Sequence, residues 1–249
     1  MGKLIDGNWE KRSIITNDEN GAYARLPRTF ENIISADNPI YTPDSQRYHL
    51  YISYACPWAT RTLIYRSLKS LEDHISVDVV HPDLLEEGWA FDGSYPAATK
   101  ESLYNFKYLR ELYQKSDPKV TTSVTVPVLW DKKTETIVNN ESSQIIRMFN
   151  SEFDELTGNS SDFYPDHLQD EINNLNDWIY HSVNNGVYKC GFATTQESYD
   201  EAVTALFKAL DELDQKLSYS KYLIEDNLTE ADLRLIPTLL RFDVAYVTH

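Results

Sequence analysis

The sequence has few cysteines and no long apolar run. Cys56 and Cys190 are the two cysteines among 249 residues, too few for the disulfide framework of small secreted proteins. The first residues, MGKLIDGNWEKRS, lack the apolar core of a signal peptide, and no stretch approaches the roughly 18 apolar residues of a membrane helix. These absences indicate a reducing compartment, and we predict a cytoplasmic protein.

Positive charge is also scarce. Lys and Arg number 23 against 39 Asp and Glu, which gives a formal net charge of −16. Such a surface repels phosphate backbones and anionic lipid headgroups, so we expect neither nucleic acid nor a membrane as a partner. The six histidines and two cysteines show no metal-ligand spacing, and no metal is predicted.

The first half of the chain is predicted to be thioredoxin-like. Residues 48–53 alternate as in a strand, 59–71 have helical spacing, and 75–80 form a second β-prone run. Strand, helix and strand in so few residues predict a parallel pair with a right-handed crossover. After a long loop, the sequence predicts a helix over 103–113, a hairpin over 126–130 and 136–138, and a helix over 141–149. This order of elements is that of a thioredoxin-like domain.

The second half is predicted to be all-helical. Apolar residues recur at helical spacing over 168–183 and 199–217, and Thr229 and Asp232 have the spacing of a capping box. We therefore predict an N-terminal extension, 1–47, a thioredoxin-like domain, 48–152, and a helical C-terminal domain, 164–249. The apolar pattern reaches His249 without a helix-ending glycine, so we expect this last domain to be truncated.

Cys56 is the candidate nucleophile. It stands between a predicted strand and a helix, and Pro57 occupies the first helical position, where a missing N–H has no cost. Free amides and the positive end of the helix dipole favour the thiolate, which is the nucleophilic form. Ala59 replaces the second cysteine of a C-x-x-C motif, so an outside thiol must resolve a mixed disulfide, which points to glutathione. A small, buried, unreactive cysteine is the alternative.

Two further motifs suit a peptide ligand. Val126-Pro127 precedes a strand; thioredoxin-like folds hold a cis-proline there, and the residue before it can bind a peptide as an added strand. Ser142 and the helix-start amides suit the γ-glutamyl carboxylate of glutathione, and Glu141 suits its ammonium group. A strand-start proline and a plain helix cap are the alternatives.

Two aromatic residues close to glycines are candidate ligand contacts. Trp89 could lie against a flat or zwitterionic ligand, and Tyr188 could donate a proton or a hydrogen bond. Either could instead belong to the core, because 12% of the chain is aromatic. Cys190 lacks a helix-start context and is predicted to be structural.

A family resemblance runs from about residue 21 to residue 249. It is carried by RYHLYISYACPWATR (47–61), EEGWAFD (86–92), TVPVLWDKKTETIVNNESSQIIRMFN (125–150), WIYHSVNNGVYKCGFA (178–193) and LTEADLRL (228–235). In their sequence, order and spacing these segments resemble the glutathionyl-hydroquinone reductases, the Xi class of the glutathione transferase superfamily.

The resemblance implies a glutathione transferase fold, with an α/β thioredoxin-like N-terminal domain and an all-α C-terminal domain. It implies glutathione as co-substrate and the reduction of glutathionyl-hydroquinones to hydroquinones through a cysteine–glutathione mixed disulfide. Cys56 matches the catalytic cysteine, and Tyr188 matches a tyrosine that faces the bound aromatic group. The glutathione-binding positions are matched by Trp89, Val126 with its neighbour Pro127, Glu141 and Ser142.

The chain departs from this family in two respects. Thr60 stands where the family usually has histidine, which puts any role of that histidine in doubt. The family's chains also continue past the position of His249, with helices that carry another active-site tyrosine and much of the dimer contact. The resemblance implies a homodimer where those helices are present.

Three alternatives remain open. An Omega-like thioltransferase or dehydroascorbate reductase would share the cysteine but not the aromatic substrate. A non-catalytic glutathione-transferase-like module would use the same fold for assembly. A serine-type transferase using Ser53 or Tyr54 is disfavoured, because these hydroxyls lie in or beside the strand.

Overall fold

The computed structural model describes residues 2–24 and 28–247. The chain divides into two compact units, the first Met1–Ile14 with Pro27–Ser161 and the second Ile15–Leu26 with Asp162–His249. The 47 residues that the sequence analysis assigns to an extension therefore contribute to both units. The end of the predicted helical domain, residues 248–249, lies outside the described residues.

The described residues form strands and helices with the following bounds. The strands are β1 (Lys3–Ile5), β2 (Asn8–Glu10), β3 (Thr16–Asn17), β4 (Tyr23–Ala24), β5 (Tyr48–Ile52), β6 (Ile75–Val79), β7 (Thr122–Ser123), β8 (Val128–Asp131) and β9 (Thr136–Asn139). The α-helices are α1 (Pro57–Leu68), α2 (Leu109–Ser116), α3 (Ser142–Ser151), α4 (Asp154–Thr157), α5 (Gln169–Ile179), α6 (Gly186–Gly191), α7 (Gln196–Tyr219) and α8 (Glu230–Leu239). A 3-10 turn covers Asp166–Leu168, and π-helical turns cover Tyr180–Asn184 and Phe242–Tyr246.

The first unit is built on a four-stranded sheet in the order β6-β5-β8-β9. Strand β5 is parallel to β6 and antiparallel to β8, and β8 is antiparallel to β9. Every residue of β5 is buried, as expected of a central strand that is covered on both faces. Helices α1 and α3 pack against each other. The predicted thioredoxin-like arrangement is confirmed.

The helix predicted over 103–113 was placed too early, since α2 begins at Leu109. The carboxylate of buried Glu101 accepts hydrogen bonds from the amides of Leu103, Tyr104 and Phe106 at 3.1, 2.7 and 3.2 Å. Amides held by a side chain are withheld from a helix, so this segment is a loop. Glu111 then accepts the Tyr108 amide at 2.9 Å and caps the helix that follows.

The second unit is helical, with a short hairpin of β3 and β4. The predicted capping box at the start of α8 is confirmed, because the Asp232 carboxylate accepts the Thr229 amide at 2.9 Å. The predicted apolar pattern over 168–183 runs through α5 and continues into a π-helical turn. Along the described chain, no helix is both long and apolar enough to cross a membrane. The core of this unit is formed by Leu168, Ile172, Ile179, Val183, Val187, Leu206, Ala209, Leu213, Leu223, Ile224, Ala231 and Leu235.

Candidate active site

Cys56 is the N-cap residue of α1, as its sequence context predicts. Its extended backbone, with φ −87° and ψ 116°, turns the chain from β5 into the helix. The half-buried sulfur accepts a hydrogen bond from the Ala59 amide at 3.5 Å, and the thiol donates to the carbonyl oxygen of Val126 at 3.6 Å. The amide and the helix dipole favour the thiolate, whereas the carbonyl favours the thiol.

The Val126–Pro127 peptide bond is cis. Pro127 directly precedes β8, where Val128 pairs with Tyr51 of the strand that leads to the cysteine. The Val126 side chain is buried, and its backbone amide donates no hydrogen bond to the described part of the chain. The amide and the carbonyl of Val126 can therefore pair with the backbone of an extended peptide beside the Cys56 sulfur.

Glu141 is the N-cap residue of α3 and carries a negative charge at the helix start. Its carboxylate accepts the amide of Ser143 at 3.0 Å, and its second oxygen lies 3.6 Å from Nε of Arg28. Burial alone would raise its pKa, but the Ser143 hydrogen bonds and the positive charges of Arg28 and Arg61 outweigh burial and lower the pKa. The carboxylate is therefore ionised at neutral pH and can pair with an ammonium group.

Ser142 is the first residue of α3 and is linked to α1 by Arg61. Both side chains are buried, and Nη1 of Arg61 lies 3.5 Å from the Ser142 hydroxyl. The guanidinium also lies over the Trp58 ring, 4.5 Å from its centroid. Arg61 therefore connects the helix that begins beside Cys56 with the helix that begins at Ser142, and it brings a positive charge close to the start of α3.

Sequence reasoning missed Arg28 and Arg61. Arg61 follows Trp58 by three positions on a helix, which places the two on one face, but an arginine at such a position is most often exposed. Arg28 lies in the segment assigned to an extension, and no local pattern relates it to Glu141. The contacts of both arginines with the start of α3 are visible only in the tertiary structure.

Trp89 lies in the long loop between β6 and α2. Its side chain is half-buried, and its carbonyl accepts the Leu109 amide at 2.9 Å. The structure thus brings Cys56, Val126 and Pro127 together. The hydrogen bonds and ring contacts described for this unit do not link the Trp89 side chain to them.

Tyr188 lies on α6 in an aromatic cluster of the second unit. Its ring stacks with Tyr23 at 6.3 Å between centroids, and it also contacts Phe192 at 5.9 Å and Tyr246 at 6.1 Å. The phenol is thereby held among other rings, as expected of either an aromatic-binding wall or a packing cluster.

The remaining candidates have local partners. The Thr60 hydroxyl, where the resembling family has histidine, donates to the Cys56 carbonyl at 2.9 Å. Burial raises the pKa of the Cys190 thiol, which favours the protonated, less nucleophilic form. Over residues 2–24 and 28–247, no three His, Cys, Asp or Glu side chains lie close enough to hold a metal ion.

The fold and this cysteine site define a glutathione transferase, and the chain belongs to that family. Residues 55–152 match the model of the glutathione S-transferase N-terminal domain, and 196–249 match the C-terminal domain. The sequence is 52% identical to glutathionyl-hydroquinone reductase YqjG of Escherichia coli, covering 100% of this chain and 78% of that protein. It is 44% identical to glutathionyl-hydroquinone reductase PcpF of Sphingobium chlorophenolicum, with 100% and 78% covered.

Solved structures give the same assignment. The Xi-class glutathione transferase of Natrialba magadii has a TM-score of 0.91 and 48% identity, covering 100% of this chain and 75% of that one. Glutathione-bound YqjG of Escherichia coli has a TM-score of 0.89 and 52% identity, covering 100% and 77%. The chain therefore belongs to the Xi class of glutathione transferases, and the resemblance and fold stated from the sequence are confirmed.

Proposed function

We propose that this protein is a glutathione-dependent enzyme that reduces glutathionyl-hydroquinones to hydroquinones, with Cys56 as nucleophile. The observation that carries the proposal is the Cys56 sulfur at a helix N-cap, 3.6 Å from the carbonyl oxygen before Pro127. The names of YqjG and PcpF, and the glutathione-bound structure of YqjG, support the same activity.

In the proposed complex, glutathione binds as an extended peptide along Val126. The Val126 amide and carbonyl pair with the backbone of the tripeptide and place its sulfur beside Cys56. The ionised Glu141 receives the γ-glutamyl ammonium group, and Ser142 with the α3 amides receives its carboxylate. Trp89 lies along the tripeptide, as the resemblance implies.

The first chemical step forms a disulfide. The Cys56 thiolate attacks the glutathione sulfur of the conjugate, and the bond between that sulfur and the aromatic carbon breaks. The electron pair of this bond goes to the carbon, which takes up a proton and leaves as the hydroquinone. The enzyme then holds a mixed disulfide between Cys56 and glutathione.

The second step restores the enzyme. A second glutathione, as its thiolate, attacks the glutathione sulfur of the mixed disulfide and releases oxidised glutathione and the Cys56 thiolate. The aromatic carbon is thereby reduced by two electrons, and two glutathione sulfurs are oxidised to one disulfide. Ala59 makes an external thiol necessary, since no second cysteine follows Cys56 at the C-x-x-C position.

Tyr188 is the proposed donor or stabiliser for the proton that the aromatic carbon receives. Its phenol belongs to a cluster of rings that suits an aromatic substrate. We expect Tyr188→Phe to lower kcat for glutathionyl-menadiol by about a hundredfold or more, since general acid catalysis is typically worth at least that much. Formation of the mixed disulfide with oxidised glutathione should be unchanged, because it needs no carbon protonation. Unchanged kcat would remove Tyr188 from the mechanism.

The test of the proposed function is the turnover of glutathionyl-menadiol by wild type, Cys56→Ala and Cys190→Ala. We expect Cys56→Ala to lose at least about a thousandfold in kcat/KM, because nucleophile removal leaves only binding effects. Cys190→Ala is the matched control and should keep the activity. A Cys56→Ala variant that retained most of its activity would disprove the mechanism.

Two comparisons separate the alternatives. Preference for dehydroascorbate over glutathionyl-menadiol would identify an Omega-like enzyme. Mass spectrometry after incubation with oxidised glutathione should show one glutathione adduct on Cys56, absent in Cys56→Ser. No adduct and no turnover would identify a non-catalytic module.

We further propose a cytoplasmic location and a homodimer. The two cysteines are free thiols, which suits a reducing compartment. The homodimer is proposed, as the family resemblance implies, for a protein in which the family's further C-terminal helices are present. Sedimentation of such a protein at micromolar concentration tests it, and a monomer would disprove it.

A further inference from the structure

We propose that Trp9 and Arg110 are positioning residues that hold Gly88-Trp89 in its glutathione-binding conformation. Trp9 belongs to the N-terminal hairpin, which we define as residues 2–11 with strands β1 and β2. The inference rests on the proposed function in so far as Trp89 contacts glutathione. It gives the N-terminal hairpin a role in binding that no local feature of the sequence indicates.

The N-terminal hairpin is fixed to the first unit. Strand β1 pairs with β2 on one side and with β7 on the other, where Leu4 lies opposite Thr122. Leu4 is fully buried, and the Gly7 amide donates to the Val120 carbonyl at 2.9 Å. The hairpin can therefore hold another segment in place.

The Trp9 indole lies directly against the backbone of Gly88. A Cβ atom at Gly88 would lie 3.0 Å and 3.2 Å from two indole carbons, and the backbone there has φ +82°. Both the close approach and the positive φ require glycine. The indole Nε1 is buried and has no hydrogen-bond partner in the described chain, so the ring acts here through its shape.

Arg110 holds the same loop from α2. Its guanidinium lies 5.0 Å from the Trp9 ring centroid and 4.1 Å from that of Tyr108. It donates to the Glu87 carboxylate at 2.8 Å and also to the Glu87 carbonyl. Residue 87 is thus held by Arg110, residue 88 by Trp9, and the carbonyl of Trp89 by the amide of Leu109.

The ion pairs of Lys11 with Glu86 and Glu87 contribute less to holding this loop than the contacts of Trp9 and Arg110 do. Its ammonium lies 2.7 Å from Glu87 and 3.2 Å from Glu86, but more than half of the Lys11 side chain is exposed. Exposed ion pairs contribute little to stability because water and salt screen them. Besides the backbone hydrogen bonds of the loop, the indole and the guanidinium are therefore the main side-chain contacts that hold it.

Fixing this loop affects binding more than chemistry. A ligand that must first order its binding loop loses affinity, whereas a loop that is already ordered has no such cost. Loosening the loop should raise KM for glutathionyl-menadiol and leave kcat at saturation unchanged. A purely structural role would instead lower the folded fraction, and so reduce apparent kcat at unchanged KM.

The test compares Trp9→Ala, Arg110→Met, the conservative Trp9→Phe, and the control Arg12→Gln. Arg12 is exposed, lies just beyond the hairpin, and its described ion pair is to Glu10. We expect Trp9→Ala and Arg110→Met each to raise KM roughly tenfold with kcat within about twofold. Trp9→Phe and Arg12→Gln should resemble wild type. The double variant should raise KM by less than the product of the single effects, because both residues act on one loop.

Hydrogen exchange without glutathione separates this inference from the proposed function. Peptides covering 85–90 should exchange faster in Trp9→Ala and Arg110→Met than in wild type, and at the wild-type rate in Arg12→Gln. If wild type lacked reductase activity, the proposed function would fail, while faster exchange would still support the positioning role. The positioning role would be overturned if both Trp9→Ala and Arg110→Met exchanged over 85–90 at the wild-type rate, or if their KM values were unchanged in an active enzyme.

Discussion

At the scale of single residues, the charge of Glu141 combines two roles. The same carboxylate caps α3 through Ser143 and is the proposed partner of the glutathione ammonium group. Arg28 and Arg61 help to keep it ionised, although burial opposes this. The charge of Glu141 therefore depends on two arginines whose relation to it is set by the tertiary structure.

Replacement of Glu141 by Gln should weaken glutathione binding. A hydrogen bond to a charged group contributes about 1.5–3 kcal/mol, so we expect KM for glutathionyl-menadiol to rise about tenfold to a hundredfold. The chemistry at Cys56 should keep its kcat. Glu155→Gln is the control, because Glu155 is an exposed glutamate beyond the end of the same helix. If the two variants had equal KM values, the ammonium would bind elsewhere.

A second residue-scale case is the pair of Arg47 and Asp131. The guanidinium makes two hydrogen bonds to the carboxylate, at 2.8 and 2.7 Å, and both side chains are buried. Arg47→Met leaves Asp131 buried without its partner and should lower the free energy of unfolding by about 3–5 kcal/mol. Urea denaturation measures this, with exposed Lys133→Gln of the same hairpin as control. A loss below about 1 kcal/mol would show that water replaces the guanidinium.

At the scale of elements, the central strands and their connections were predictable. The predicted runs 48–53 and 75–80 correspond to β5 and β6, because alternating and β-branched residues are a local signal. The strands of the N-terminal hairpin gave no such signal. Leu4 pairs with Thr122, more than a hundred positions away, and such pairing depends on the folded chain.

The features of the candidate active site fall into the same two groups, those set by neighbouring residues and those set by contacts between distant segments. The positions of Cys56 at a helix start and Pro127 before a strand follow from neighbouring residues, so sequence patterns predict them. The contacts of Arg61 with Ser142 and of Trp9 with Gly88 join separate elements. They depend on packing, which a pattern in one segment does not contain.

Loop 101–106 shows how one acidic side chain can fix an element boundary. Glu101 accepts three backbone amides and the Tyr51 hydroxyl, the last at 2.7 Å. Glu101→Gln replaces one oxygen with a donor and leaves buried donors unpaired, at about 1–3 kcal/mol each. We expect a lower urea midpoint and faster hydrogen exchange over 101–108. Tyr51→Phe removes one donor but leaves the loop amides bonded, so its exchange there should stay near that of wild type; equal exchange in both variants would contradict this account.

At the scale of the whole molecule, buried carboxylates and net charge have opposite effects on acid stability. Burial would raise the pKa values of Asp78 and Asp131. Hydrogen bonds from His49 and Ser102 lower the pKa of the first, and those from Arg47, the Lys133 amide and Thr134 lower the pKa of the second. A carboxylate whose pKa is lower in the folded protein than in the unfolded one, where it is about 4, stabilises the fold above that unfolded value. This stabilisation is lost as the pH falls through the folded pKa. The charge of −16 at pH 7 disfavours the compact state by self-repulsion, which acidification towards the isoelectric point of about 4.7 removes.

These two effects predict a definite pH and salt dependence of the free energy of unfolding. Between pH 7 and about 5 the buried carboxylates of Asp78 and Asp131 stay ionised, while the net negative charge of the molecule and its self-repulsion decline. The free energy of unfolding should therefore stay level or rise slightly. Below about pH 4 the carboxylates become protonated and stability should fall steeply. At pH 7, added sodium chloride should raise the melting temperature by screening like charges, and near pH 5 this dependence should nearly vanish. Melting curves across pH and salt test this, and a salt dependence as strong at pH 5 as at pH 7 would show that specific ion binding, rather than net charge, sets stability.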